Sequence, residues 1–165
     1  MKLLKAFVIS LAVLAPLAAN AMWLDHGAAS GLVTRVFDGD TILVKIGGIE
    51  EKVRLLGIDC PEKNGPYTSL EPFGNEAWKR TEELALGKRV RLVYGGESLR
   101  DKYNRLLAHV ILPDGRVLNE ILLSEGLAVH YRKFKYTHKK RYMAIEAEAR
   151  RACRGLWSRK RHCGG

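Results

Sequence analysis

No apolar run in this 165-residue sequence is long enough to cross a membrane: the longest, Ala6 to Ala19, has about 14 residues where roughly 20 are needed. There is no C-x-x-C pair, which argues against a structural zinc site. No internal repeat or low-complexity tract occurs, which sets aside repeat architectures. Acids are scarce, with 18 Asp and Glu against 28 Lys and Arg and a net charge of +10. Cysteines number only three, Cys60, Cys153 and Cys163, so one is left over from any pairing. What is present fits one ordinary domain, with 47% hydrophobic residues to supply a core.

The first residues are set aside before that core is judged. Two lysines, the apolar run and Ala19-Asn20-Ala21 have the layout of a secretory signal peptide, with cleavage expected after Ala21. An uncleaved anchor or a buried helix are the alternatives. Cleavage removes Lys2 and Lys5 and leaves +8, and an excess of that size attracts polyanions. Nucleic acid is the commonest such partner, while an anionic membrane or a cell-wall polymer would meet the same charge. Export permits a disulfide between Cys153 and Cys163, against three reduced thiols as the alternative.

From the leader onward the expected organisation is a linker over 22–30, a folded domain over 31–158 and a basic tail over 159–165. Strand patterns cover Leu32–Phe37, Thr41–Ile46 and Glu51–Ile58, separated by Asp38-Gly39-Asp40 and Gly47-Gly48, and read as an antiparallel meander. The Asp-Gly pair reads as a turn in which glycine supplies a positive φ, and Gly57 as a bend or bulge. Asn64, Gly65, Pro66 and Pro72 lead to the expectation of a loop over 63–72. Helical spacing follows over Asn75–Leu86, with Ala77, Trp78, Leu84 and Ala85 on one face and Gly87 as a stop. Two more strands, Lys88–Tyr94 and Arg105–Leu112, and two more helices, Leu118–Glu125 and His138–Cys153, complete the chain. An α+β fold is expected: a small five-stranded barrel with three helices, the oligonucleotide-binding type.

Acidic residues stand at two strand ends, Asp38 and Asp40 at the first turn and Asp59 and Glu62 after the third strand. Carboxylates gathered at one rim repel one another unless a hard cation lies between them, and oxygen-only ligation suits calcium or magnesium. Arg54 interrupts an apolar strand, either as a functional group or as an outward-facing residue, and Arg105 follows the polar loop Asp101–Asn104. Phosphodiester hydrolysis needs an activated water and donors for the charge that builds on phosphorus. A carboxylate beside a metal can do the first and planar arginines the second.

The strings Val36-Phe37-Asp38-Gly39-Asp40-Thr41 and Val53-Arg54-Leu55-Leu56-Gly57-Ile58-Asp59-Cys60-Pro61-Glu62 resemble the staphylococcal nuclease (thermonuclease) family. So do Phe73-Gly74-Asn75-Glu76-Ala77, Asp101-Lys102-Tyr103-Asn104-Arg105-Leu106-Leu107-Ala108, Val117-Leu118-Asn119-Glu120, Leu127-Ala128 and Gly155-Leu156-Trp157-Ser158. The resemblance spans about residues 32–158 in the family's order. It implies a five-stranded oligonucleotide-binding barrel with three helices and calcium-dependent hydrolysis of DNA and RNA to 3′-phosphate products; the leader separately points to export, and a monomer without stable membrane insertion is expected. Arg54, Glu62 and Arg105 resemble the catalytic residues, and Asp40 and Asp59 the calcium ligands. Cys60 would add its backbone carbonyl, so that its side chain can differ from the family's threonine. Lys102 and Tyr103 resemble phosphate-contacting residues, and Tyr131 falls near the family's base pocket. The loop at 63–72 departs from the family pattern. A non-catalytic binding barrel is the competing reading, and a basic envelope-binding protein is a third.

Overall fold

The computed structural model describes residues 27–63 and 71–158. The expected leader, most of the proposed linker, most of the expected loop over 63–72, the basic tail and Cys163 lie outside the described residues. Among the described residues there are seven strands: β1 (Ala28–Asp38), β2 (Thr41–Ile46), β3 (Ile49–Leu55), β4 (Ile58–Asp59), β5 (Arg89–Val93), β6 (Leu106–Ile111) and β7 (Val129–His130). Three helices accompany them: α1 (Gly74–Ala85), α2 (Leu118–Ser124) and α3 (Lys139–Arg151), with a 3-10 turn at Gly155–Trp157. Five strands close into a barrel in the order β1-β2-β3-β6-β5, with β5 returning to β1. The pairings are antiparallel except β3 with β6, where Val53, Arg54 and Leu55 face Leu106, Leu107 and Ala108 in parallel.

Period-2 alternation explains the barrel interior. Val33, Val36, Ile42, Val44, Val53, Leu55, Val90, Leu92, Ala108 and Val110 point inward and are buried. On α1, Ala77, Leu84 and Ala85 are buried and Trp78 packs against the core, which is the face expected from the helical spacing. Gly87, with φ at +72°, ends that helix.

Two boundaries differ from expectation. Residues 28–30, assigned to the linker, instead open β1, pairing with Val93, Leu92 and Arg91. Ala28, Ala29 and Ser30 carry little strand signal of their own, but closing the barrel requires a partner for β5. The third strand, expected to run to Ile58, stops at Leu55. Gly57, with φ at +78°, turns the chain there, and Ile58 and Asp59 form β4 against His130 and Val129 of β7. The Gly57 site leaves no room for a side chain, because an added Cβ would meet the Tyr136 ring at 2.3 Å.

Buried polar groups tie the layers together. Asn119 on α2 is fully buried; it accepts from Val110 N–H and donates to Leu56 O, both at 2.9 Å. His109 on β6 bonds Tyr142 Oη at 2.7 Å and Thr137 Oγ1 at 3.0 Å. Glu146 on α3 accepts from Arg150 Nη2 at 3.1 Å and meets His130 Nδ1 at 3.2 Å. Helix α3 is thereby latched to β7, the strand that carries β4. Cys153 is disulfide-bonded and Cys60 is a free thiol.

The Glu146 latch sets a pH dependence. Burial raises its carboxyl pKa, but hydrogen bonds from His130 and Arg150 outweigh that and hold it below the ordinary 4.5. A group depressed on folding stabilises fully above its unfolded value, and that stability is lost as pH falls through the folded value. Glu146→Gln is expected to cost about 1.5–3 kcal/mol at neutral pH and to flatten the acid limb of stability. Urea unfolding across the acid range measures both, and a variant with the parent's acid limb would refute the latch.

Candidate active site

The turn between β1 and β2 carries the first acidic group. Asp40 N–H donates to Asp38 Oδ1 at 3.0 Å, which folds the turn onto itself. Gly39 does not adopt a positive φ, so the expectation that glycine is needed there for its backbone freedom is corrected. Glycine is required for space instead: a Cβ would lie 2.8 Å from both Ala77 Cβ and Cys60 Cβ. Thr81 Oγ1 donates to Gly39 O at 2.7 Å, so α1 braces the turn from behind.

Asp40 is only 5% exposed. Its Oδ2 accepts from Cys60 N–H at 2.7 Å and its Oδ1 from Thr41 Oγ1 at 3.1 Å. Burial pushes its carboxyl upward, opposed by Arg54 and reinforced by Asp38. Arg54, opposite Thr41 in the β2–β3 register, stands between two aspartates. Its Nη1 is ion-paired with Asp40 and its Nη2 bonds Asp59 Oδ1 at 2.5 Å. Burial works against the guanidinium charge, but Asp40 and Asp59 outweigh it and raise its pKa. Nη1 is a buried donor with no well-directed hydrogen bond, although it touches Asp40. By alternation with the buried Val53 and Leu55, Arg54 does face outward from the barrel, but its head is held between two carboxylates rather than lying free in solvent.

Glu62 lies beyond β4 at the solvent edge. Its backbone N–H donates to Glu71 Oε2 and its O accepts from Glu71 N–H, both at 3.0 Å. Partial burial raises its carboxyl pKa, with Asp38 and Glu71 adding and Arg54 opposing. The charges of Asp38, Arg54 and Asp59 therefore reach Glu62.

The parallel β3–β6 pairing brings in the second arginine. Leu107 is the cross-strand partner of Arg54, and Arg105 precedes it by two positions, hence on the same face. Asp101 organises that loop, accepting from Tyr103 N–H at 2.9 Å, Arg105 N–H at 3.0 Å and Arg105 Nε at 2.7 Å. Tyr103 is exposed, with Lys102 Nζ 4.9 Å and Arg105 Cζ 5.4 Å from its ring centre. Tyr131 N–H donates to Gly57 O at 2.9 Å and its ring lies 5.7 Å from that of Phe134. Asp38, Glu71 and Asp101 were missed as organisers by sequence reasoning, although each stands beside a residue it singled out or within the loop leading to it.

A hard cation fits the chemistry of this donor set. Asp40 and Asp59 offer oxygen only, and ionising the buried Asp40 beside Asp38 calls for compensating positive charge. Among the described residues no three His, Cys, Asp or Glu side chains form a ready cluster. Backbone carbonyls and water would complete the shell, as calcium ordinarily accepts.

The five-stranded closed barrel with three helices, carrying arginines and aspartates at one end, is of the oligonucleotide-binding class. The chain belongs to the staphylococcal nuclease family: the family model described as "Staphylococcal nuclease homologue" matches residues 52–159. It is 41% identical over 138 residues to the thermonuclease of Staphylococcus intermedius, covering 82% of this chain and 80% of that one. Endonuclease YncB of Bacillus subtilis (strain 168) is 39% identical over 129 residues, covering 76% of this chain and 60% of the relative. The thermonuclease of Staphylococcus hyicus is 35% identical over 127 residues, covering 76% and 74%. The chain is a nuclease, a hydrolase acting on nucleic acid.

Proposed function

We propose that the protein is an exported, calcium-dependent phosphodiesterase that cuts DNA and RNA with little sequence preference, leaving 3′-phosphate ends. The observation that carries this reading is Arg54 held between Asp40 and Asp59, on the same sheet face as Arg105. Arg54 and Arg105 bind the scissile phosphate and offset the charge that grows on it, each through a planar fork of donors. Glu62 takes the proton from, or orients, the attacking water. Asp40, Asp59 and the Cys60 carbonyl would hold the calcium, and that ion would supply Lewis acidity toward the phosphate. Arg54 must then exchange its aspartate contacts for the phosphate. Lys102 and Tyr103 add phosphate contacts, and Tyr131 lies beside a base. The leader over 1–21 would direct export, the mature protein acting as a monomer; among the described residues no helix is long and apolar enough to cross a membrane.

The test is digestion of single-stranded DNA and of RNA with calcium and with a calcium chelator, followed by analysis of product ends. Cleavage that depends on calcium, leaves 3′-phosphates and weakens steeply as salt rises is expected, because backbone contacts dominate affinity. Binding without cleavage by folded protein in any divalent metal would move the reading to a non-catalytic binding barrel.

A further inference from the structure

The segment from Tyr131 to Arg141 is not used by the proposed mechanism beyond Tyr131. It holds Arg132, Lys133, Lys135, Lys139, Lys140 and Arg141 without one acid. Some of these cations are committed: Arg141 pairs with Glu120, and Arg132 Nη2 lies 3.7 Å from Glu146. Lys139 Nζ donates to Arg132 O at 2.7 Å and Phe134 O at 3.0 Å, folding the loop onto the first turn of α3. Lys133, Lys135 and Lys140 are exposed and have no ion pair among the described residues.

Two large apolar side chains interrupt these charges in the open. Phe134 is 60% exposed with its ring against Tyr131, and Met143 is 48% exposed. Met143, Tyr136, His138 and Lys135, Lys139 and Lys140 line an open depression of about 450 Å³. Exposed aromatic surface next to unpaired lysines suits a ligand that is both flat and anionic. A single nucleic-acid strand has that chemistry, with bases for the ring and phosphates for the lysines. A duplex hides its base faces and would leave Phe134 unused.

The segment is hydrogen-bonded to the barrel and adjoins the candidate site. Tyr131 N–H and Tyr136 Oη both donate to Gly57 O, at 2.9 and 3.1 Å. Thr137 N–H donates to Gly95 O at 2.8 Å. Gly57 lies two residues before Asp59, and β7 pairs directly with β4, so the segment springs from the strand beside the aspartate.

We propose that residues 132–140 with Met143 form a second contact surface for single-stranded nucleic acid, with Phe134 as a base-stacking platform and Lys133, Lys135 and Lys140 as phosphate partners. The surface takes the part of the strand that runs past the scissile phosphate. It deepens the nuclease reading by making substrate length and single-strandedness matter.

The test compares the parent with Phe134→Ala and with Lys133→Ser/Lys135→Ser/Lys140→Ser. The probe is a labelled oligothymidylate longer than the ~16 nucleotides one such barrel can cover. Anisotropy is read in chelator, so that no strand is cut. Phe134→Ala is expected to weaken binding by roughly tenfold. The triple variant should also reduce the salt slope by about 2, at ~0.7 per phosphate contact on a single strand. A dinucleotide ester should be cleaved by the triple-lysine variant with the parent's kcat/KM, while Phe134→Ala, whose ring meets Tyr131, is read on the oligothymidylate alone. Unchanged oligothymidylate affinity in the variants would overturn the proposal, as would an equal loss for a blunt duplex. So would binding to phosphatidylglycerol vesicles that the variants lose while oligothymidylate binding stays intact. If the parent cuts nothing yet the variants lose oligothymidylate affinity, this surface stands and the nuclease mechanism fails alone.

Discussion

Glu62→Gln is expected to lower kcat by ~10²–10⁴-fold, the usual contribution of a positioned general base, while leaving stability near that of the parent. The side chain sits at the solvent edge, and the local loop is held by backbone bonds to Glu71 that glutamine retains. Glutamine keeps the shape and can still accept a hydrogen bond from water, but it cannot take the proton. KM should change little, because Glu62 is not assigned to the phosphate. Steady-state cleavage of single-stranded DNA together with a thermal melt separates these effects. Near-parental kcat in a folded Glu62→Gln protein would remove Glu62 from the mechanism.

Arg54→Ala is expected to act on rate and on folding together. Losing a donor aimed at the developing charge costs about 10²–10³ in kcat. The structural cost is separate, because Arg54 is the counter-charge of the buried Asp40 and also contacts Asp59. Breaking a buried pair from one side costs about 3–5 kcal/mol, less whatever Asp40 recovers by taking up a proton. Calcium should narrow that stability gap, since positive charge would again lie near the aspartates, yet it should not restore the rate. Arg54→Lys keeps a charge but not the two-pronged geometry, and should recover more stability than activity. Urea titrations with and without calcium, run beside kinetics, decide the matter. Equal losses of stability with and without calcium would argue against a cation at this rim.

Much of this was readable from residue order. Strand alternation from Thr41 to Ile46 and from Arg89 to Val93, and the helical face of Ala77, Leu84 and Ala85, locate the barrel and α1 to within a few residues. Asp40, Asp59 and Arg54 stand out because charge is costly inside an apolar strand or at its end. The two-residue strands β4 and β7 were hidden, since a pair that short leaves no periodicity. The roles of Asn119 and Glu146 were hidden too: each is an ordinary polar residue on a helix until partners 63 and 16 positions away reach it. At Gly39 the residue type was informative but its reason was not, because the crowding comes from Ala77 and Cys60.

The parallel pairing of β3 with β6 has a consequence for biogenesis. Neighbouring antiparallel strands can join through a tight turn, whereas this contact must wait until α1 and β5 have been placed between its two halves. Contacts so distant along the chain form late, after the entropy of a long loop has been overcome. Arg54 and Arg105 are brought to one side of the sheet through that contact, so the proposed site is complete only once the pairing has formed. On the proposed mechanism, a chain that has not yet closed its barrel carries both arginines without the geometry to use them together.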